Sequence, residues 1–106
     1  MLVYKLVEVG SDEAYAEMAS MGWETREEAE DALAEGGVDG GYLVGGFADG
    51  ESEEIDTQGM ERTQVTHWFT MGDDSGEQYW YPFDILAYKA ADGTLYGEAE
   101  EIDNNC

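Results

Sequence analysis

The sequence has almost no positive charge: four Lys and Arg stand against 26 Asp and Glu, giving a formal net charge of −22 and a pI near 4.1. Such a surface repels nucleic acid and anionic lipid and leaves little room for direct binding to either. There is one histidine, His67, and one cysteine, Cys106. A single terminal cysteine closes no internal disulfide, and one His with one Cys is too small a set for a structural zinc site. Nucleophilic catalysis fails on the same inventory. No G-x-S-x-G elbow is present, and His67 falls in a strand pattern beside Val65 and Phe69, where a structural histidine is expected. The glycine-rich 36–41 segment, GGVDGG, lacks the Lys and Ser/Thr of a phosphate-binding loop. Carboxylates crowd the stretch from Asp49 to Asp56, yet the sixth position counted from Asp49 is Glu54, where a calcium loop needs Gly. Weak, diffuse cation binding is all that stretch predicts. Carboxylate pairs able to hydrolyse glycosides occur in any acidic domain and carry no specific signal. The expectation is a non-enzymatic protein with no cofactor. No stretch reaches the length of a membrane span, and MLVYKLVEVG is interrupted by Lys5 and Glu8, unlike a secretory signal. A cytosolic protein is expected, in a host cytoplasm if the gene is viral.

What is present is a globular composition. The hydrophobic fraction is 42% and the aromatic fraction 12% over 106 residues, enough for one domain, 1–106, with a modest core. The clearest element is the helix in Trp23 to Glu35, WETREEAEDALAE. Thr25 is a good N-cap with Glu28 as its capping-box partner, and Gly36-Gly37 supplies the stop. At the helical advance, Ala29, Ala32 and Leu33 share one face, while Glu24, Glu27, Glu28, Asp31 and Glu35 share the other. The one nearby base, Arg26, serves Glu30. Residues 2–9 read as a first strand. Ser11 to Met18 is left open between a short helix and an ordered loop. Tyr42 to Val44 begin a second strand, Gly45-Gly46 reads as a bulge, and Asp49-Gly50 as a turn. Thr63 to Met71 alternate apolar and polar residues and return through 78–81 until Pro82 disrupts pairing. Ile85 to Ala90 and Thr94 to Glu98 flank Asp92-Gly93, a hairpin turn. The acidic tail 98–106 is expected to fray. These elements predict an α+β class: a small antiparallel sheet with one main helix packed on one face. Its aromatics, Trp68, Tyr79, Trp80, Tyr81, Phe83, Tyr88 and Tyr96, read as core and cross-strand pairs more than as a ligand platform, with some left partly exposed in so small a domain.

Function must then come from the charge. Duplex DNA carries about one negative charge per 1.7 Å of axis, and rows of carboxylates can occupy the Lys and Arg rows that proteins present to it. The candidate rows are Glu24, Glu27, Glu28, Asp31 and Glu35 on the helix, Asp49, Glu51, Glu53, Glu54 and Asp56 on the loop, and Asp73, Asp74 and Glu77 near a hairpin end, with Glu98, Glu100, Glu101 and Asp103 in the tail. In size, acidity and lack of catalytic groups the chain resembles the small DNA-mimicking inhibitors that phages deploy against restriction or CRISPR machinery. The resemblance covers composition and rests on no motif. It implies competitive inhibition, with the acidic face seated in the basic DNA or guide channel of a nuclease or defence complex and exposed aromatics adding the specific contacts; a monomer or dimer is expected. Two other readings stand beside it: an acidic immunity or antitoxin-like module, and a protein adapted to molar salt, in which excess Asp and Glu are screened over a Debye length of about 3 Å.

Overall fold

Strand pairing runs full circle in this chain. The computed structural model describes residues 1–44, 52–72, 74–75 and 78–104. In chain order its elements are β1 (Leu2–Glu8), α1 (Asp12–Ser20), α2 (Arg26–Glu35), β2 (Tyr42–Val44), β3 (Glu53–Glu54), β4 (Glu61–Gly72), β5 (Gln78–Lys89), β6 (Leu95–Glu98) and α3 (Ala99–Asn104). The strands run β2-β4-β5-β6-β1, and β1 pairs again with β2, while β3 is a short addition to β1. The expected small sheet with one main helix on one face is therefore corrected to a closed five-stranded barrel with short helices. The reason is visible in β1, whose side chains Val3, Tyr4, Leu6 and Val7 are all buried. An open sheet under one helix buries only alternate residues.

Two apolar clusters share β1. Inside the barrel, Tyr4, Leu6, Ile85 and Ala87 pack with Ala99 and Ile102 of α3, flanked by Tyr42, Val65, Phe83 and Leu95. Outside it, Val7, Leu43 and Trp80 receive Ala14 and Met18 of α1 and Ala29 and Leu33 of α2. The segment left open between helix and loop is α1, capped by Ser11, whose Oγ accepts from Ala14 N at 3.2 Å. The tail expected to fray instead forms α3 over residues 99–104, because Ile102 is fully buried and the Tyr4 hydroxyl donates to Asp103 Oδ1 at 3.0 Å. Gly97 makes room for it: a Cβ there would lie 2.8 Å from Ile102 Cδ1.

Pro82 does not end its strand either. It sits opposite Trp68 inside continuous β5, at a point where β6, which pairs only with Ala87 to Lys89, is absent. With a strand partner on one side only, the missing N–H interrupts no second ladder. The Asp92-Gly93 turn joins β5 to β6 as expected, with Gly93 at φ +90° and Asp92 Oδ1 accepting from Thr94 N at 2.9 Å. The expected bulge at Gly45-Gly46 and turn at Asp49-Gly50 lie outside the described residues.

Closure rests on the seam between β2 and β4, which run parallel and, among the described residues, share one paired position, Tyr42 opposite His67. Gly41 permits that approach. Its φ is +87°, and a Cβ there would lie 2.7 Å from the Thr66 carbonyl oxygen and 2.9 Å from the Trp68 indole. Its neighbour Gly40 has a similar φ of +79° with open space around it. Gly40→Ala is expected to cost about 1 kcal/mol from backbone strain alone, and Gly41→Ala about 3 kcal/mol because overlap with backbone adds to it. Urea unfolding of the two variants measures this; equal losses would show that the seam tolerates a side chain.

Candidate acidic interface

The sequence of α2 positions its carboxylates by fixing both helix ends. Thr25 is the N-cap, its side chain accepting from Glu28 N at 3.1 Å. Glu28 does not close the expected capping box on Thr25 but reaches one residue further, accepting from Glu24 N at 3.1 Å. At the other end Gly37 adopts φ +71°, and Val38 N donates to Leu33 O at 3.0 Å while Gly37 N donates to Ala34 O at 3.2 Å. That pair of bonds is a Schellman stop. Trp80 closes in at Gly36, where a Cβ would lie 2.4 Å from its ring. With Ala29 and Leu33 buried below, Glu24, Glu27, Glu28, Asp31 and Glu35 are all exposed.

Arg26 cannot neutralise this row, because it is committed elsewhere. Its Nε is 3.1 Å from Glu30 Oε1, its Nη1 is 3.7 Å from Asp12 Oδ1, and its guanidinium lies 4.5 Å from the centre of the Tyr15 ring. The hydrogen bond to Glu30, then the nearby Tyr15, Glu30 and Asp12 charges, hold its pKa above the ordinary value. It thus serves Asp12 as well as the expected Glu30. Lys5 is spent on Glu13 of α1 at 2.8 Å. Among the described residues, Glu27, Glu28, Asp31 and Glu35 have no ion-pair partner. From Glu27 to Glu35 the helix rises about 12 Å, so these four charges fall one per 3 to 4 Å, close to the roughly 3.4 Å axial spacing of phosphates along one DNA strand.

The remaining candidates do not join that row. Glu53 and Glu54 form β3 beside the start of β1, where Glu54 meets the amino group of Met1, and Asp56 caps its own turn by accepting from Gln58 N at 3.0 Å. Asp74 is exposed in the turn between β4 and β5. Asp49, Glu51, Asp73 and Glu77 lie outside the described residues. Among the described residues no His, Cys, Asp and Glu side chains converge as a metal site would require. The carboxylates of α1 were missed as a set, though Ser11 followed by Asp12 and Glu13 is an N-terminal helix signal.

His67 is buried at 1% exposure between Phe83, whose ring is 4.9 Å away edge-on, and Phe69 at 6.4 Å. It lines a cavity of about 20 Å³ with Met21, Leu43, Trp68, Phe69, Thr70 and Trp80. Its Nδ1 makes no hydrogen bond, and burial lowers its pKa to about 4. So placed, it offers no exposed nitrogen to a substrate.

The chain matches no family model, no curated protein and no solved structure. No described helix is long and apolar enough to cross a membrane.

A histidine held neutral in the fold but free to protonate when unfolded subtracts stability as pH drops below its unfolded pKa of 6.5, until the folded pKa near 4 is passed. Between pH 7 and pH 5 the wild type should therefore lose roughly 2 kcal/mol relative to His67→Phe. Both proteins share the carboxylates, whose protonation cancels in the difference. A pH-independent difference in urea unfolding would contradict neutral burial.

Proposed function

We propose that this protein is a non-enzymatic inhibitor that mimics the charge of nucleic acid and occupies the basic DNA- or RNA-binding surface of a nuclease or other defence complex. The observation that carries this reading is the row Glu27, Glu28, Asp31 and Glu35, exposed on a capped helix, at phosphate-like spacing and with its one neighbouring base turned to other carboxylates. A free acidic helix normally interleaves Lys or Arg, since like charges three or four residues apart cost a few tenths of a kcal/mol (~0.2–0.5) each. A basic partner turns that cost into attraction and speeds the encounter. The test is inhibition of restriction and CRISPR nucleases by the wild type and by a variant carrying Glu27→Lys, Glu28→Lys, Asp31→Lys and Glu35→Lys. The variant should bind at least about 100-fold more weakly, while melting at the same or a higher temperature in dilute buffer. Undiminished inhibition by a folded variant would sink charge mimicry.

A second reading, adaptation to molar salt, is favoured by the spread of exposed carboxylates over α1, α2, β3 and α3. Circular dichroism from dilute buffer to molar potassium chloride separates the two. The inhibitor reading expects a cooperative thermal transition already in dilute buffer; folding only in molar salt would favour adaptation.

A further inference from the structure

Beyond the barrel, β4 and β5 continue, paired with each other, as an arm that is two-stranded among the described residues. Each strand has 12 residues, about 40 Å at strand rise, nearly the whole 43 Å long axis of the molecule. Among the described residues, β4 has no pairing with β2 past His67 and β5 none with β6 before Ala87. One face of the arm packs through Trp80 on α2 and Trp23. The other face is aromatic. Phe69 stands opposite Tyr81 with ring centres 5.7 Å apart, and Phe69 meets Phe83 edge-on at 5.0 Å. Tyr81 therefore sits at the end of a ladder anchored in the barrel. Tyr79 and Tyr81, two residues apart on this same face, are the most exposed aromatics described, at 46% and 44%.

The structure assigns this face as the docking surface for an extended, arginine-bearing segment of a basic protein partner, with Tyr79 and Tyr81 each stacking one guanidinium. The inference rests on the basic partner proposed above and names the contact that gives it chemical selectivity. Charge selects the occupant: a second copy would bring another −22 to the interface, whereas a cationic segment is attracted. Spacing agrees, because alternate residues on a strand lie about 7 Å apart, the separation of the arginines in an extended Arg-x-Arg. The chain itself supplies the precedent. Both of its arginines lie over tyrosines, Arg26 at 4.5 Å from the Tyr15 ring and Arg62 at 5.4 Å from that of Tyr88. Guanidinium stacks on aromatic faces better than ammonium does.

The probes are two peptides of equal length and charge, deca-arginine and deca-lysine, titrated against the full chain at moderate salt. Carboxylates alone already favour arginine, so the quantity read is the ratio of the two dissociation constants in each variant. In Tyr79→Leu/Tyr81→Leu deca-arginine should bind roughly fivefold to thirtyfold more weakly, two exposed cation–π contacts' worth, and the ratio should fall by the smaller amount by which guanidinium stacks better than ammonium. In Tyr79→Phe/Tyr81→Phe it should hold, since the ring faces remain. A ratio unchanged in the leucine variant overturns the assignment and leaves charge mimicry standing; no binding of either peptide to the wild type overturns both. Should the leucine variant fail to fold, the wild type decides: ring-current shifts of the arginine side-chain protons on binding support stacking, and their absence refutes it. Binding of oligothymidylate in place of the peptides would make the face a base platform and refute the assignment too.

Discussion

The close approach of β2 to β4 is the constraint on which the rest of the structure depends. β2 is three residues long, yet it bridges β1 and β4 and turns a curved sheet into a barrel. Leu43, on that bridge, also belongs to the outer cluster that holds α1 and α2. One short strand therefore completes both the interior and the platform under the helices. The approach is possible because Gly41 carries no side chain and tolerates a positive φ, and His67 fills the interior at the same level without forming a buried charge.

A fold with a net charge of −22 survives only by keeping its carboxylates in water. His67 is the one buried polar or charged side chain described, and the apolar clusters on both faces of β1 are free of ions. Self-repulsion is then a surface term, spread over several elements and open to screening by salt or by a cationic partner. That division of labour lets α2 carry a dense anionic row without disturbing the packing beneath it. Burial sets the position of the row, and its charge is left available.

Local signals were legible wherever a residue type acts on its own chain neighbours. Thr25 and Gly36-Gly37 bounded α2, its apolar and acidic faces followed from spacing, and Asp92-Gly93 marked a hairpin. Closure was not legible, because it depends on contacts far apart in sequence. In LVYKLVE, Lys5 gives β1 the look of an alternating strand, whereas the adjacent pairs Val3-Tyr4 and Leu6-Val7 are what two-sided burial requires. In GGVDGG nothing local distinguishes Gly41, crowded by Thr66 and Trp68, from Gly40, which meets nothing. The acidic letters of 98–106 hid Ala99 and Ile102, the two side chains that plug the barrel. For the site, the α2 row could be read from helical spacing, and the number of aromatics required that some stay partly exposed, but that these are Tyr79 and Tyr81 could not be read, since it is decided by contacts far apart in sequence.

The stacked indoles of Trp23 and Trp80, 5.5 Å apart and inclined by 28°, join the lead-in to α2 to strand β5. Two indoles this close couple their electronic transitions, so the pair acts as one chromophore that exists only while helix and barrel are docked. The molecule thus carries an intrinsic optical label on the joint between its acidic layer and its scaffold. Separation of that layer is visible spectroscopically even when the barrel itself stays intact.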